Sequence, residues 1–378
     1  MREFMLVGLV PVTAYLIFWS GYDFFLAICA LFSKKGDYEE SVDEFFYLVI
    51  PAYKEGDILI QTIETALNVN YPTDKREVVL LAQELDEVLL GTLRQYPITI
   101  IETGALGSKM NAIKNWINSI EPTNEHLFIL DADNLIYENA LKVCSAALKT
   151  TKVVQLEREK TKPETPLSVL DYWNTAVGIA LALHSRLSLR LSPFILGSGF
   201  AVKADLYKRF VNEFSNTNVE DKALDLFLIQ QGEHLRYMRI PGVSDATIAR
   251  TTELETQRSR WVGGRVEARN MFRKAHFKNF WNIELLDKHL HYSAPQRSLR
   301  LAMSLVLGIL VFFFPENLIL LLPILLGGIS VFLATPKSLF SKRLFNSILA
   351  LPVSVLIIIK SRLLAKSAST KSFKRTPK

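Results

Sequence analysis

An α/β fold built on a parallel sheet, with apolar helices toward both ends of the chain, is what the sequence predicts. Three observations carry it. Between residues 44 and 189, short apolar runs alternate with stretches whose apolar residues recur at helical spacing, the pattern of strand-helix-strand units. Two carboxylates, Asp131 and Asp133, follow directly on the strongest of those runs, and in open α/β sheets ligands bind at the carboxyl ends of strands. Apolar residues also crowd the two ends: from Phe4 to Phe32 only Asp23 is charged, and Leu301 to Ala334 carries only Glu316, the scale of bilayer-spanning helices.

Glu44 to Pro51 (EFFYLVIP), stopped by proline, predicts a buried strand. Ile58, Leu59, Ile63, Ala66 and Leu67 predict a helix that Asn70-Tyr71-Pro72 ends. Glu77 to Ala82 reads as a second strand, Glu87 to Gln95 as a helix and Ile98 to Glu102 as a third strand. A helix at Lys109 to Ser119 leads to the strand His126 to Leu130, and one at Asn139 to Lys149 leads to a strand at Val153 to Leu156. Thr165 to Leu189 is a long helical region, and Ala223 to Ile229 a further apolar helix. Ser33 to Arg300 is mixed in composition and long enough for a single sizeable core.

The first apolar run is about twice the length of a secretory signal's apolar core, and Lys34 and Lys35 follow it, so it reads as a retained anchor. Cys29 falls in that anchor and Cys144 in the globular part, which gives no disulfide or zinc framework. The net charge of +6 owes much to Lys360 to Lys378, where seven Lys or Arg occur without an acid. Such a run after an apolar segment suits anionic lipid headgroups, and no nucleic-acid motif accompanies it, so no nucleic-acid partner is expected.

Asp131-Ala132-Asp133 at an extended chain end would put two carboxylates on one side, suited to sharing a hard cation with phosphate oxygens; alone, the same spacing also serves as a turn or cap. Asn218-Val219-Glu220-Asp221-Lys222 is a second acidic pair, readable as a helix start favoured by the dipole or as a carboxylate placed to accept a proton. Gln257-Arg258-Ser259-Arg260-Trp261 offers guanidinium groups for a diphosphate and an indole for a sugar face, or a surface helix with a buried Trp. Gly197-Ser198-Gly199 allows a close backbone approach or an ordinary turn.

The order of these pieces, from Val49-Ile50-Pro51-Ala52-Tyr53-Lys54-Glu55 through Ser108-Lys109-Met110-Asn111-Ala112, Leu130-Asp131-Ala132-Asp133, Gly197-Ser198-Gly199 and Glu220-Asp221 to Gln257-x-x-Arg260-Trp261, resembles the family 2 glycosyltransferases over roughly residues 44 to 265. The flanking apolar segments resemble their membrane-bound members, the cellulose and hyaluronan synthases and ceramide glucosyltransferase, and Phe373 to Lys378 resembles the tail of a bacterial subgroup. The resemblance implies a GT-A fold, a nucleotide-sugar donor of the UDP type, a divalent cation (Mg²⁺ or Mn²⁺), and a glycan or lipid acceptor. It implies that Ala52, Tyr53, Glu55 and Lys109 lie about the nucleotide, with Asp131 facing it. Asp133, with Asp131, would hold the metal, Asp221 beside Glu220 would be the general base, and Gln257, Arg260 and Trp261 would close over diphosphate and acceptor. The family's second strand ends in a base-contacting aspartate; here Gln83 takes that place, with an amide able to donate and accept. That departure keeps open an inactive scaffold of a polysaccharide assembly.

The expected organisation is an anchor at 1–33, the GT-A domain at 44–265, an interfacial connector at 266–298, a transmembrane hairpin at 299–334, and an interfacial or re-entrant segment with basic tail at 344–378. Lys34, Lys35, Arg297, Arg300, Lys337, Lys342 and Arg343 place the catalytic part in the cytoplasm, on what the resemblance implies is a bacterial inner membrane.

Overall fold

The computed structural model describes residues 2–35, 38–160, 163, 165–214, 217, 219–245 and 251–348, with the helical backbone alone at 2–7, 167 and 251–262. The chain divides into two compact units: 1–34, 163–191 and 248–378 form one, and 35–162 with 192–247 form the other. Along the chain run α1 (Arg2–Leu31), β1 (Phe46–Tyr53), α2 (Ile58–Leu67), β2 (Arg76–Gln83), α3 (Glu87–Leu93), β3 (Thr99–Thr103), α4 (Lys109–Ile117), β4 (His126–Ile129), β5 (Asn134–Ile136), α5 (Ala140–Leu148) and β6 (Val153–Lys160). Then come α6 (Pro166–Ile179), a widened turn at Ala180–His184, α7 (Ser185–Leu189), β7 (Phe200–Lys203), α8 (Ala204–Glu213), α9 (Glu220–Gln230), β8 (Arg236–Asp245), α10 (Thr251–Lys278), α11 (Ile283–Ser293), α12 (Arg297–Leu310), α13 (Leu322–Ala334) and α14 (Lys342–Ile348).

The sheet unit has eight strands in the order β3-β2-β1-β4-β7-β6-β8-β5. β3, β2, β1 and β4 are parallel, as the alternation predicts. The expectation of a parallel sheet throughout is corrected beyond β4: β7 runs antiparallel to both β4 and β6, and β5 antiparallel to β8, so the sheet is mixed. β7 enters the sheet from the Gly197–Gly199 turn, after α6 and α7, and lies between β4 and β6. The strands that the sequence reading omits, β5, β7 and β8, are either three or four residues long or interrupted by Pro241-Gly242, where β6 and β8 shift register. One face of the sheet is closed by α2, α3 and α5 through Leu48, Ile50, Leu59, Ile63, Leu80, Leu90, Phe128 and Leu141, all buried.

In the helical unit α1 is not a bare anchor. Leu26 and Ala27 pack with Val177, Ala180, Leu181 and Ala334, and Leu16 with Leu307 and Leu320. Asp23 pairs with Arg300 at 2.5 Å. Residues 8–31 of α1 number 24, about 36 Å of helix against roughly 30 Å of hydrocarbon, and among the described residues this is the one helix long and apolar enough to cross a membrane. The transmembrane hairpin expected at 299–334 is corrected in length. α12 has 14 residues and α13 has 13, each short of the roughly 20 that span a bilayer. The chain turns at Phe314-Pro315-Glu316-Asn317 and winds Leu318–Leu321 as a tighter 3-10 turn, which removes from α-helix residues that look apolar enough to extend it. The segment at 344–378 lies outside the described residues from 349 on.

Candidate active site

β4 delivers the chain, buried through Leu130, to the carboxyl edge of the sheet. There it turns instead of continuing extended: the Asn134 N–H donates to the Asp131 carbonyl at 3.1 Å, and Thr62 of α2 donates to the Ala132 carbonyl at 2.9 Å. The expected extended D-x-D is thus a tight turn, with Asp131 and the partly buried Asp133 at its two sides.

Asp131 is held by cations. Lys109, in the first turn of α4, places Nζ 2.6 Å from Oδ1, and Arg158 at the end of β6 comes to 3.9 Å of Oδ2. α4 begins there because Ser108 accepts from the Asn111 N–H, a cap worth about 1 kcal/mol. The same Lys109 nitrogen donates to the Gly197 carbonyl at 2.8 Å. Arg158 donates to the Leu196 carbonyl at 2.7 Å and to Asp245 at 2.9 Å. Burial works against its charge, but Asp245, Asp131 and Asp221 outweigh that and hold its guanidinium above the ordinary value.

The glycine turn is clamped from beneath by the buried Gln155, whose Oε1 accepts from the Leu196 N–H at 2.9 Å while Nε2 donates to the Ser198 and Gly199 carbonyls, both at 3.0 Å. Gly197 has φ +85°, and a Cβ there would meet Asp221 at 3.8 Å, so Asp221 borders the turn directly. Glu220 and Asp221 are the first two residues of α9, not residues ahead of it, where its dipole favours negative charge by about 0.3–1 kcal/mol each. Asp221 pairs with Lys222 at 2.6 Å. Enclosure raises the Glu220 pKa above the usual carboxylate range and Asp221 pushes it further up, with Lys109 opposing.

Gln83 ends β2 beside Tyr53, the last residue of β1, and is 2% exposed. Its Oε1 accepts from the Leu106 N–H at 3.2 Å. One of the two lone pairs of the amide oxygen is therefore taken by backbone. Ala52 is buried, Tyr53 carries the Lys54 ammonium 5.2 Å above its ring, and Glu55 is partly buried in the loop ahead of α2. Gln257, Arg260 and Trp261 fall on α10 of the helical unit, where side chains lie outside the described residues.

The structure therefore brings Lys109, Asp131, Gly197 and Asp221 into one network, joined by Arg158, Gln155 and Lys222, which the sequence reading missed. Arg158 lies in Leu156-Glu157-Arg158-Glu159-Lys160, a run that reads as a solvated strand end. Among the described residues no three His, Cys, Asp or Glu side chains converge on one point. The carboxylates of the network (Asp131, Glu220, Asp221, Asp245, with Asp133 in the adjoining turn) outnumber its cations, Lys109, Arg158 and Lys222. An all-oxygen, acid-rich site with few protein ligands fits a hard divalent cation that takes the rest of its shell from phosphate and water.

A mixed α/β sheet with an acidic turn at this edge is the architecture of nucleotide-sugar-dependent transferases with a GT-A-like fold. The chain belongs to the family described as Glycosyltransferase like family 2, whose pattern matches residues 43–264. Among solved structures it is similar to a mannosyltransferase from Pyrobaculum calidifontis in complex with GDP-mannose and Mn²⁺, at TM-score 0.59 and 16% identity over 94% of this chain and 98% of that one. At that identity the likeness is one of fold. Residues 1–349 of TarS from S. aureus align at TM-score 0.44 and 14% identity, covering 88% of this chain and 93% of that one. No protein of curated function matches the chain in sequence.

Proposed function

We propose that this glycosyltransferase moves a sugar from a nucleoside diphosphate to a glycan hydroxyl with inversion, on the cytoplasmic face of a membrane. The observation that carries the proposal is the Lys109 ammonium bridging Asp131 and the Gly197 carbonyl while Gly197 abuts Asp221. A donor phosphate and an acceptor hydroxyl brought to that bridge would meet a carboxylate able to take the hydroxyl's proton. Asp221 is that base; Lys222 pairs with it, and it lies against the glycine turn at Gly197. Ala52, Tyr53, Glu55 and Gln83 border the base and ribose, and Lys109 and Arg158 hold Asp131 at the donor. Asp133, with Asp131, would hold Mg²⁺ or Mn²⁺, which supplies charge neutralisation at the departing diphosphate. Gln257, Arg260 and Trp261 keep the diphosphate and acceptor roles that their motif implies. A UDP-sugar is the first candidate donor, and the GDP-mannose of the Pyrobaculum structure makes a GDP-sugar the second.

α1, together with exposed Phe312, Phe313 and Phe332 of the helical unit, supports the membrane location, and the same apolar surface favours a lipid acceptor as the second reading. Incubating purified protein with UDP- and GDP-sugars, with and without Mn²⁺, tests the activity. Product of unchanged anomeric configuration would defeat inversion. Ser369→Cys labelled in intact cells by a membrane-impermeant reagent would defeat the cytoplasmic placement of the tail.

A further inference from the structure

Arg297 opens α12 with a guanidinium that the helical unit satisfies only in part. Its Nη2 donates to the carbonyl and to the side-chain oxygen of Asn174 on α6, both at 3.0 Å. Nε and Nη1, which carry the remaining N–H donors of the group, have no acceptor among the described residues, and neither is sealed from solvent. Among those residues the one carboxylate that attracts Arg297 is Asp23, and Asp23 is bonded to Arg300 at 2.5 Å. A second Arg300 nitrogen donates to the Trp19 carbonyl at 2.8 Å, and its Nε is buried without a partner. Two guanidinium groups thus share one carboxylate. Arg265, which donates to the His291 and Ala294 carbonyls, adds positive charge nearby. Burial pushes the Arg297 pKa down to about 10, with Asp23 opposing and Arg300 and Arg265 adding to the fall. A partly enclosed cation without its own counter-charge is costly, and an anion brought to it removes that cost.

We propose that this corner of the helical unit, at the start of α12 beside α6, holds the phosphate of an anionic membrane lipid. The guanidinium is the side chain best suited to phosphate oxygens. α12 begins at Arg297 without a side-chain cap, so its first N–H groups add to the positive potential. Gly178, one turn beyond Asn174 on α6, leaves a flank of the group bare: a Cβ there would lie 3.6 Å from Nη2.

The surroundings favour a lipid over a soluble anion. Leu305, Val306 and Ile309 are exposed further along α12, about 12–18 Å from Arg297 at 1.5 Å of rise per residue, where acyl chains would lie below a headgroup. Through Trp19 and Asp23 the cluster also touches α1, the helix long enough to cross a bilayer. Basic pockets between such helices on the cytoplasmic side suit anionic headgroups. The assignment rests on the membrane location proposed above and is independent of the transfer reaction.

Native mass spectrometry of the full chain in neutral detergent tests it. Dioctanoyl phosphatidylglycerol is expected to bind at least about tenfold more tightly than dioctanoylglycerol, which has the same chains and no phosphate. Inorganic phosphate, which lacks the chains, should also bind at least about tenfold more weakly. Arg297→Gln should lose about tenfold for phosphatidylglycerol, whereas Arg273→Gln, the same charge change at an exposed position of α10, should lose less than about twofold. Dioctanoylglycerol binding as tightly as phosphatidylglycerol overturns the proposal. Inorganic phosphate doing so overturns it too, by making the ligand a soluble anion. So does an Arg297→Gln chain that melts like the parent and binds as well, or an equal loss in the two variants. Should Arg297→Gln not fold, the comparisons on the unaltered chain decide. A full chain that does not float with phosphatidylglycerol vesicles would defeat the membrane location itself; one that floats and fails these comparisons defeats this site alone.

Discussion

The Lys109 ammonium lies 2.6 Å from the Asp131 carboxylate, and the same nitrogen reaches the Gly197 carbonyl at 2.8 Å. One side chain thus ties together the end of β4, the start of α4 and the glycine turn that borders Asp221. Those three pieces are far apart in sequence, and the mixed sheet puts their ends at one edge. The pair is partly open to water, so its contribution to stability is on the order of 1 kcal/mol or less; its consequence is positional. Removing it should disturb donor binding more than folding.

Activity should require a divalent cation and collapse in Asp133→Asn with the melting temperature little changed. The site already holds more carboxylates than cations, and a diphosphate adds further negative charge that only an added cation offsets. Turnover in excess chelator, compared before and after readdition of Mg²⁺ or Mn²⁺, checks this. Undiminished turnover in chelator would sink it.

Asp221→Asn should lower turnover by about 100-fold or more while nucleotide affinity stays nearly intact, because a general base acts in the chemical step. The amide preserves shape and can still accept from the Lys222 N–H as Asp221 does at 2.9 Å, so folding should be retained. Calorimetric titration with UDP or GDP beside a transfer assay separates the two effects. Loss of nucleotide binding would reassign the residue to the donor.

How much of this was legible in the sequence differs between the halves of the sheet. β1 to β4 announce themselves because each is a short apolar run closed by Pro, Gly or acidic residues and followed by a helical pattern. β7 has only the four residues Phe200–Lys203, and β8 is broken by Pro241-Gly242, so neither shows a period to read. Lys109, Asp131 and Asp221 were found through the order of their motifs. Arg158 was invisible because what turns it inward is Asp245 and the Leu196 carbonyl, contacts made 87 and 38 residues away. In the helical unit, composition overstated helix length: 299–334 is apolar enough for two spans, but the turn at Pro315 and the tighter winding at Leu318–Leu321 consume part of it.

Stability should depend on pH through Glu220. Its folded pKa is raised from the ordinary 4.5, so folding favours its protonated form; that contribution is whole below the unfolded value and is lost as pH rises through the folded one. Glu220→Gln, permanently neutral, should therefore melt higher than the parent at pH 8 and close to it at pH 4. A parent that matches the variant at pH 8 would show that the raised value is absent.

Gly199→Ala should destabilise the sheet unit by about 1–3 kcal/mol. The position has φ +66°, and an added Cβ would lie 2.7 Å from Val243 Cγ2. The two causes separate: Val243→Ala in the same chain removes the clash but not the backbone strain, so the double variant should recover part of the loss. Full recovery would mean that φ contributes nothing there.

Arg186 gives the sharpest test of the helical unit, because its side chain is 0% exposed and fully spoken for. Its guanidinium donates to both oxygens of Asp287, at 2.9 and 3.2 Å, to the Tyr22 hydroxyl of α1 at 2.9 Å, and to the Leu181 carbonyl. Removing one partner of a buried pair strands the other charge, typically a loss of about 3–5 kcal/mol, whereas replacing both by apolar groups of similar size is often close to neutral. Asp287→Ala should therefore lower the melting temperature far more than the double variant Arg186→Met, Asp287→Leu. Tyr22→Phe, which deletes one hydrogen bond and leaves the ion pair, should lose only about 1 kcal/mol. Thermal melts in detergent of the three variants rank them. A double variant as unstable as Asp287→Ala would mean that the unit depends on the pair for packing geometry, not for compensation of a buried charge.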